Sequence, residues 1–169
     1  VGPDNPLALG IVDLWQQDGR RIWGPNQKAA RFESSKVFSQ QFMESYGIPT
    51  ARAGTFADAA AASRFAASLG GRCAVKADGL ALGKGVLICR DMAQADQAIE
   101  EVLVRRAFGS AGAELVIQEL LEGMEISLHA LCDGRTAKLF PTAQDHKRAL
   151  DGDQGLNTGG MGALAPGAD

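Results

Sequence analysis

The stretch "AVKADGLALGKGVLI", Ala74 to Ile88, sets the strongest limit on what this chain can fold into. Two short apolar, β-prone runs flank a glycine-rich segment that carries Lys84, and Lys76 sits inside the first run. Glycines let a backbone approach a ligand closely and offer it N–H groups, and lysine adds charge, so the stretch suits phosphate. It is not the G-x-x-x-x-G-K-S/T loop that leads into a helix. Gly79 and Gly83 have three residues between them rather than four, Gly85 stands where a hydroxyl would meet magnesium, and "GVLICR" continues as a strand. The spacing predicts strand, glycine flap, strand: a hairpin able to close over a nucleotide, with Lys76 on its first strand and Lys84 at its tip.

A chain of 169 residues that is 46% hydrophobic can bury a core of its own, as one domain or two small ones. Its formal net charge of −3 does not fit a general nucleic-acid or membrane-surface binder, whose affinity rests on excess Lys and Arg, although a locally basic site stays open. No apolar run is long enough to span a bilayer, and no signal-peptide series is present. The first residue is Val1 rather than Met, so a preceding segment is left open. Cys73, Cys89 and Cys132 are odd in number, lack C-x-x-C spacing and lie in strand-like runs, which predicts buried free thiols in a reducing compartment.

Along the chain, "PLALGIVDLWQQDG" carries Leu7, Ile11, Leu14 and Trp15 at helical spacing and predicts one helix from Pro6 to Gly19, with "RIWG" a short strand after it. "ESSKVFSQQFMESYG" predicts a second helix with Val37, Phe38, Phe42 and Met43 inward and Gly47 as its stop. "IPTARAGTF" runs extended into a helix that Thr55 and Asp58 cap at box spacing and Gly70 ends. After the hairpin, Asp91 and Gln94 open another helix in the same way, and "ELVIQEL", "MEISLHALCD" and "TAKLFPT" read as strands. Between Gly47 and Leu121 the order is therefore strand, helix, strand, flap, strand, helix, strand, a small α+β lobe. Alternation in "MEISLHALCD" sets Glu125, Ser127 and His129 opposite Ile126, Leu128, Ala130 and Cys132, so Glu125 is expected to point away from an apolar core.

A nucleotide needs cations on its phosphates, backbone polar groups at the adenine edge and an acceptor for the ribose hydroxyls. Lys36 and Lys76 are the phosphate candidates; Lys36 alone also fits a solvated lysine, whereas "AVKA" sets Lys76 inside an apolar strand. "QELLEG" reads as a hinge, and Glu125 just after it as a ribose acceptor or a surface glutamate. "TAQDHKR" crowds a carboxylate, an imidazole and two cations after a strand, as recognition of an anion requires, and otherwise reads as a solvated charged loop. "NTGGMGA" is a second glycine loop, able to approach a ligand or to serve as a plain turn.

Taken in order and spacing, "GIPTA", "VKADGLALGKGV", "QELLEGMEIS", "TAQDHKR" and "NTGGMGA" resemble the phosphoribosylamine-glycine ligases, or glycinamide ribonucleotide synthetases, of the ATP-grasp superfamily. "VGPDNPLALGIVD" is similar to the end of their N-terminal domain. The resemblance implies an α/β and α+β chain: the end of a Rossmann-like domain at 1–25, a linker and first helix of the large grasp lobe at 26–47, the small lobe at 48–122 and the start of the large lobe at 123–169. It implies ATP-dependent joining of glycine to 5-phosphoribosylamine through a glycyl phosphate, in the cytoplasm, with Mg2+ or Mn2+ held by ligands outside this chain. Lys36 and Lys76 would grip phosphates under a flap that includes Gly79, Gly83, Lys84 and Gly85. Gln118, Glu119 and Leu121 would meet adenine and Glu125 the ribose. Asp145, His146, Lys147 and Arg148, with Asn157, Thr158, Gly159 and Gly160, would serve the glycine and phosphoribosylamine side.

Gln118 departs from the family's usual Glu, yet its carbonyl can still accept from the adenine amino group. Asp4 also replaces a usual Glu, and His129 fits no family motif. The family's glycine-rich N-terminal segment and its C-terminal magnesium ligands have no counterpart here, which reads as a middle fragment, inactive by itself. Two other classes stay open: a non-catalytic nucleotide-binding module, and an ATP-grasp ligase for another carboxylate.

Overall fold

The computed structural model describes residues 3–80, 85–152 and 154–167, and for Ser110, Leu156 and Asn157 the backbone. The chain divides into two compact units, Val1–Leu121 and Glu122–Asp169.

The first unit opens with four helices: α1 (Asp4–Ala8), α2 (Ile11–Gln17), α3 (Gln27–Ser34) and α4 (Lys36–Ser45). The single helix expected over Pro6 to Gly19 is thus two, because Gly10 adopts φ 88°, a left-handed conformation that glycine takes without penalty, and caps α2. "RIWG" forms no strand, and Trp23 is exposed. The second predicted helix also breaks. Ser35 is extended at φ −139°, ψ 112°, and its hydroxyl accepts from the Phe38 N–H at 3.0 Å to start α4.

A four-stranded sheet follows, built from β1 (Ala53–Phe56), β2 (Cys73–Ala77), β3 (Val86–Cys89) and β4 (Leu115–Glu119) in the order β1-β4-β2-β3, every pair antiparallel. The helices α5 (Ala59–Ser68) and α6 (Met92–Ile99) complete the predicted order of the small lobe. The α5 cap is Asp58, not Thr55: its carboxylate accepts from the Ala61 N–H at 2.8 Å. At α6, Asp91 accepts from the Gln94 N–H, but Gln94 Oε1 accepts from the Arg90 N–H at 3.1 Å rather than from the Asp91 N–H, while its Nε2 donates to Asp91 Oδ2 at 2.8 Å. A π turn, Glu100–Val104, ends the helix and buries Val102 and Leu103.

Strand alternation decides the layering. Cys73, Val75 and Ala77 of β2 and Leu115 and Ile117 of β4 pack with Ala62 and Ala66 of α5 and Ala95, Ala98 and Ile99 of α6. Each fully buried Val, Leu or Ile contributes roughly 1.5–3 kcal/mol. The intervening Lys76, Val116 and Gln118 therefore face the other side of the sheet.

The second unit holds short strand pairs and a bridge: β5 (Ala130–Cys132) with β6 (Ala137–Leu139), β7 (Gln144–Asp145) with β10 (Ala163–Leu164), β8 (Arg148–Leu150) with β9 (Gln154–Asn157), and a bridge between Ser127 and Ala143. The strand expected over "MEISLHALCD" shrinks to its last residues. Ile126 and Leu128 are exposed, so alternation there sorts no buried face and Glu125 has no apolar core to point away from. Cys73 and Cys89 are buried free thiols, but Cys132 is exposed, contrary to expectation.

Candidate functional site

In the first unit, the sheet face opposite α5 and α6 borders a cleft of about 410 Å³ whose lining includes Lys36, Gln40, Lys76, Val86, Val116 and Gln118. That is a size suited to a small ligand. Lys76 projects from β2 between its partners Val86 and Val116 on β3 and β4. Lys36 enters from the first residue of α4, where its Nζ donates to the Gly79 carbonyl at 2.8 Å. Neither lysine meets a carboxylate at ion-pair distance among the described residues. Burial, reinforced by the nearby Lys36 charge, pushes the Lys76 ammonium below the ordinary lysine value. The pair thus concentrates positive charge in a cleft whose lining also includes Asp4 and Glu33, neither of them ion-paired to these lysines.

The base of the flap is fastened to α4. Both Asp78 carboxylate oxygens accept from Ser35 Oγ, at 3.1 and 3.2 Å, and Oδ1 also accepts from the Val37 N–H at 3.1 Å. A carboxylate at a helix N-terminus meets unpaired N–H groups and the positive end of the dipole. Gly79 turns the chain at φ 87°, and the Gly85 carbonyl accepts from the Ala77 N–H at 2.8 Å to close the hairpin. Gly83 and Lys84 lie outside the described residues.

Gln118 is held on both sides: Lys76 Nζ donates to its Oε1, and its Nε2 donates to Gln40 Oε1 at 3.0 Å. Glu119 is already committed to the residue before β1, since its N–H donates to the Arg52 carbonyl at 2.9 Å and its Oε1 accepts from the Arg52 N–H at 2.7 Å. Leu121 is exposed. Lys36, Lys76, Gly79 and Gln118 are therefore brought together in one cleft. Sequence reasoning missed Gln40, Ser35 and Asp78 beside them. For Gln40 a signal existed: it stands one turn from Val37 on the inward stripe of α4, where an apolar residue is expected.

In the second unit the two remaining motifs wind against each other. Arg148 pairs with Asn157 and Asp145 with Ala163. The Thr158 N–H and hydroxyl both donate to the Lys147 carbonyl, at 2.6 and 2.9 Å, and the Gly160 N–H donates to Thr158 Oγ1 at 3.1 Å. His146 exchanges backbone bonds with Met161 and Gly162 and, with Arg148 and Met161, borders a second hollow of about 300 Å³. Gly159 is exposed in the turn. Glu125 is bound to Lys147, Nζ to Oε1 at 2.6 Å, with Asp145 Oδ2 at 3.7 Å from the same ammonium. The Glu125 bond is the main cause that raises the Lys147 ammonium above its ordinary value. Asp145 Oδ1 is shielded from solvent without a partner among the described residues.

Residues 34–168 match the family described as phosphoribosylglycinamide synthetase, ATP-grasp (A) domain. The chain belongs to this family. Phosphoribosylglycinamide synthetase relatives include the phosphoribosylamine–glycine ligase of Streptococcus pneumoniae serotype 4, 51% identical over 166 residues that make up 98% of this chain and 40% of that protein. The enzyme of the same name from Caulobacter vibrioides is 51% identical over 166 residues, 98% of this chain and 39% of that one. The crystal structure of phosphoribosylamine–glycine ligase from Thermotoga maritima superposes with a TM-score of 0.80 at 36% identity, covering 88% of this chain and 38% of that one. The fold is thus ATP-grasp, and the chain spans about two fifths of the length of the curated relatives it matches.

Proposed function

We propose that the whole protein to which this chain belongs joins glycine to 5-phosphoribosylamine at the expense of ATP, giving glycinamide ribonucleotide, ADP and phosphate. The observation that carries this reading is the convergence of Lys36 and Lys76, without a carboxylate partner among the described residues, on one cleft of a phosphoribosylglycinamide synthetase chain. Two cations at that place suit the phosphates of ATP, and the apolar surface of Val86 and Val116 suits a flat base. Gln118 and the backbone from Glu119 to Leu121 would meet the adenine edge, and Glu125 the ribose. The flap from Gly79 to Gly85 would close over the phosphates, its backbone N–H groups facing the charge that develops in transfer. Activation of the glycine carboxylate as glycyl phosphate leaves a group that the amine of phosphoribosylamine displaces. Asp145, His146, Lys147 and Arg148, with Asn157 to Gly160, would orient those two substrates.

We assign the magnesium ligands to residues outside this chain, where the ion would offset charge on the ATP phosphates. Within the whole protein we assign residues 1–25 to the end of an N-terminal domain, 26–47 to a linker and first helix of the large grasp lobe, 48–122 to the small lobe and 123–169 to the large one. We place the enzyme in the cytoplasm; no helix among the described residues is long and apolar enough to cross a membrane.

The test is stoichiometry. With ATP, magnesium, glycine and phosphoribosylamine, the whole protein is expected to release one ADP and one phosphate per glycinamide ribonucleotide, and no ADP when glycine is omitted. Pyrophosphate and AMP as products, or ATP cleavage indifferent to glycine, would remove this reading.

A further inference from the structure

Gln40 is the one buried polar side chain among the described residues, 1% exposed, on the helix face that also carries Lys36 one turn earlier. It belongs to a chain of four side chains. Gln40 Nε2 donates to Glu44 Oε1 at 2.9 Å, Gln118 Nε2 donates to Gln40 Oε1 at 3.0 Å, and Lys76 Nζ donates to Gln118 Oε1. The two ends of this chain are unambiguous: an ionised carboxylate only accepts and an ammonium only donates. Each amide between them can face either way by a half-turn. Glu44 fixes Gln40 with its nitrogen outward, which leaves Gln40 Oε1 to face Gln118. That oxygen fixes Gln118 with its nitrogen toward Gln40 and its carbonyl toward Lys76. In the opposite setting the Gln118 NH2 would meet the Lys76 ammonium, donor against donor.

We propose that Gln40 is a positioning residue of the nucleotide site, polarised by Glu44 so that it locks the Gln118 carbonyl toward Lys76 and thereby aims Lys76 into the cleft. The proposal rests on the reading of that cleft as the ATP site. A simple packing role is a poor account of Gln40, because an apolar side chain of the same length fills the place without the cost of burying an amide.

The test uses the whole protein and reads KM for ATP and kcat for Gln40→Met, Gln118→Glu, the double variant and Lys76→Met. Methionine keeps the length of Gln40 and removes both hydrogen-bonding ends. With Gln118 present, Gln40→Met is expected to raise KM for ATP about tenfold, since a buried donor is left unpaired and the amide loses its orientation. A carboxylate has two equivalent oxygens and needs no orienting partner, so in the Gln118→Glu background the same change is expected to cost less than about twofold. An equal cost in both backgrounds, or no cost with Gln118, would overturn the positioning role. Should Gln40→Met not fold, Glu44→Gln reads the same polarity from the exposed side of the helix: a severalfold rise in KM with Gln118 and none in the Gln118→Glu background supports the proposal, and no rise in either overturns it. Lys76→Met separates this inference from its foundation. If that change leaves KM for ATP untouched, the cleft is not the ATP site, and both readings fall; if it raises KM while the Gln40 and Glu44 changes do not, the positioning role alone falls.

Discussion

Burial and the neighbouring Lys36 charge both weaken the hold of Lys76 on its proton, and an arriving triphosphate is expected to strengthen it. The sign of a pH effect follows. Between the lowered value of Lys76 and the ordinary 10.5, the native protein binds fewer protons than the unfolded chain, so this group makes stability rise with pH through that window. ATP affinity is expected to run the other way, falling as pH climbs through the lowered value, with a proton taken up on binding. Calorimetry in buffers of different ionisation enthalpy reads that proton, and Lys76→Arg is expected to remove the fall, because a guanidinium stays charged. In the whole protein Lys76→Met is expected to weaken ATP by about ten- to a hundredfold, the loss of a charge-assisted contact, and Lys84→Met by far less, because backbone N–H groups share the work of the flap; similar small effects would take Lys76 out of the site. Glu125→Ala is expected to weaken ATP by about the same factor, but to cost little for the deoxy analogue lacking the hydroxyl that Glu125 accepts. Equal losses for ATP and both the 2′- and 3′-deoxy analogues would mean that Glu125 serves only its 2.6 Å pair with Lys147. Lys76 was legible because a charge inside "AVKA" has no packing reason to be there. The inward place of Gln40 could be read from the stripe of α4, but its role could not, because its partners Gln118 and Lys76 meet it only through the packing of α4 on the sheet.

The hairpin of β2 and β3 was readable because β-prone runs, turn glycines and length all agree on it, and its register, Cys73 with Cys89 through Lys76 with Val86, follows from the buried face. The breaks at Gly10 and Ser35 were hidden, since apolar residues at helical spacing continue across both. The strand over Met124 to Asp133 failed for a different reason: alternation predicts a strand by assuming a buried face, and Leu128 is 62% exposed. The join between hairpin and helix was not legible at all, since "KADG" reads as a turn, whereas Asp78 reaches Ser35 Oγ and the Val37 N–H. This join carries a prediction. Asp78→Ala is expected to cost about 1–2 kcal/mol in urea unfolding, as loss of a helix-capping carboxylate does, and to raise hydrogen exchange in the first turn of α4. An unfolding midpoint unchanged from the parent would show that Ser35 caps α4 by itself.

Across the whole chain, the second unit leaves Leu139, Phe140, Leu150 and Leu164 at least half exposed, and the chain spans about two fifths of the length of its relatives. This chain by itself is therefore expected to form no glycinamide ribonucleotide with ATP and magnesium in excess, whereas steady product above a no-enzyme control would contradict that. In the whole protein, ATP held at Lys36 and Lys76 is proposed to give its terminal phosphoryl group to the carboxylate of glycine. The most direct measurement supplies glycine labelled with oxygen-18 in both carboxylate oxygens and weighs the phosphate released. If the carboxylate attacks the phosphoryl group and the amine then displaces phosphate from the acyl carbon, the bridging oxygen leaves with the phosphate. One oxygen-18 atom is then expected in every phosphate formed and one in the amide, and phosphate free of the label would exclude this route.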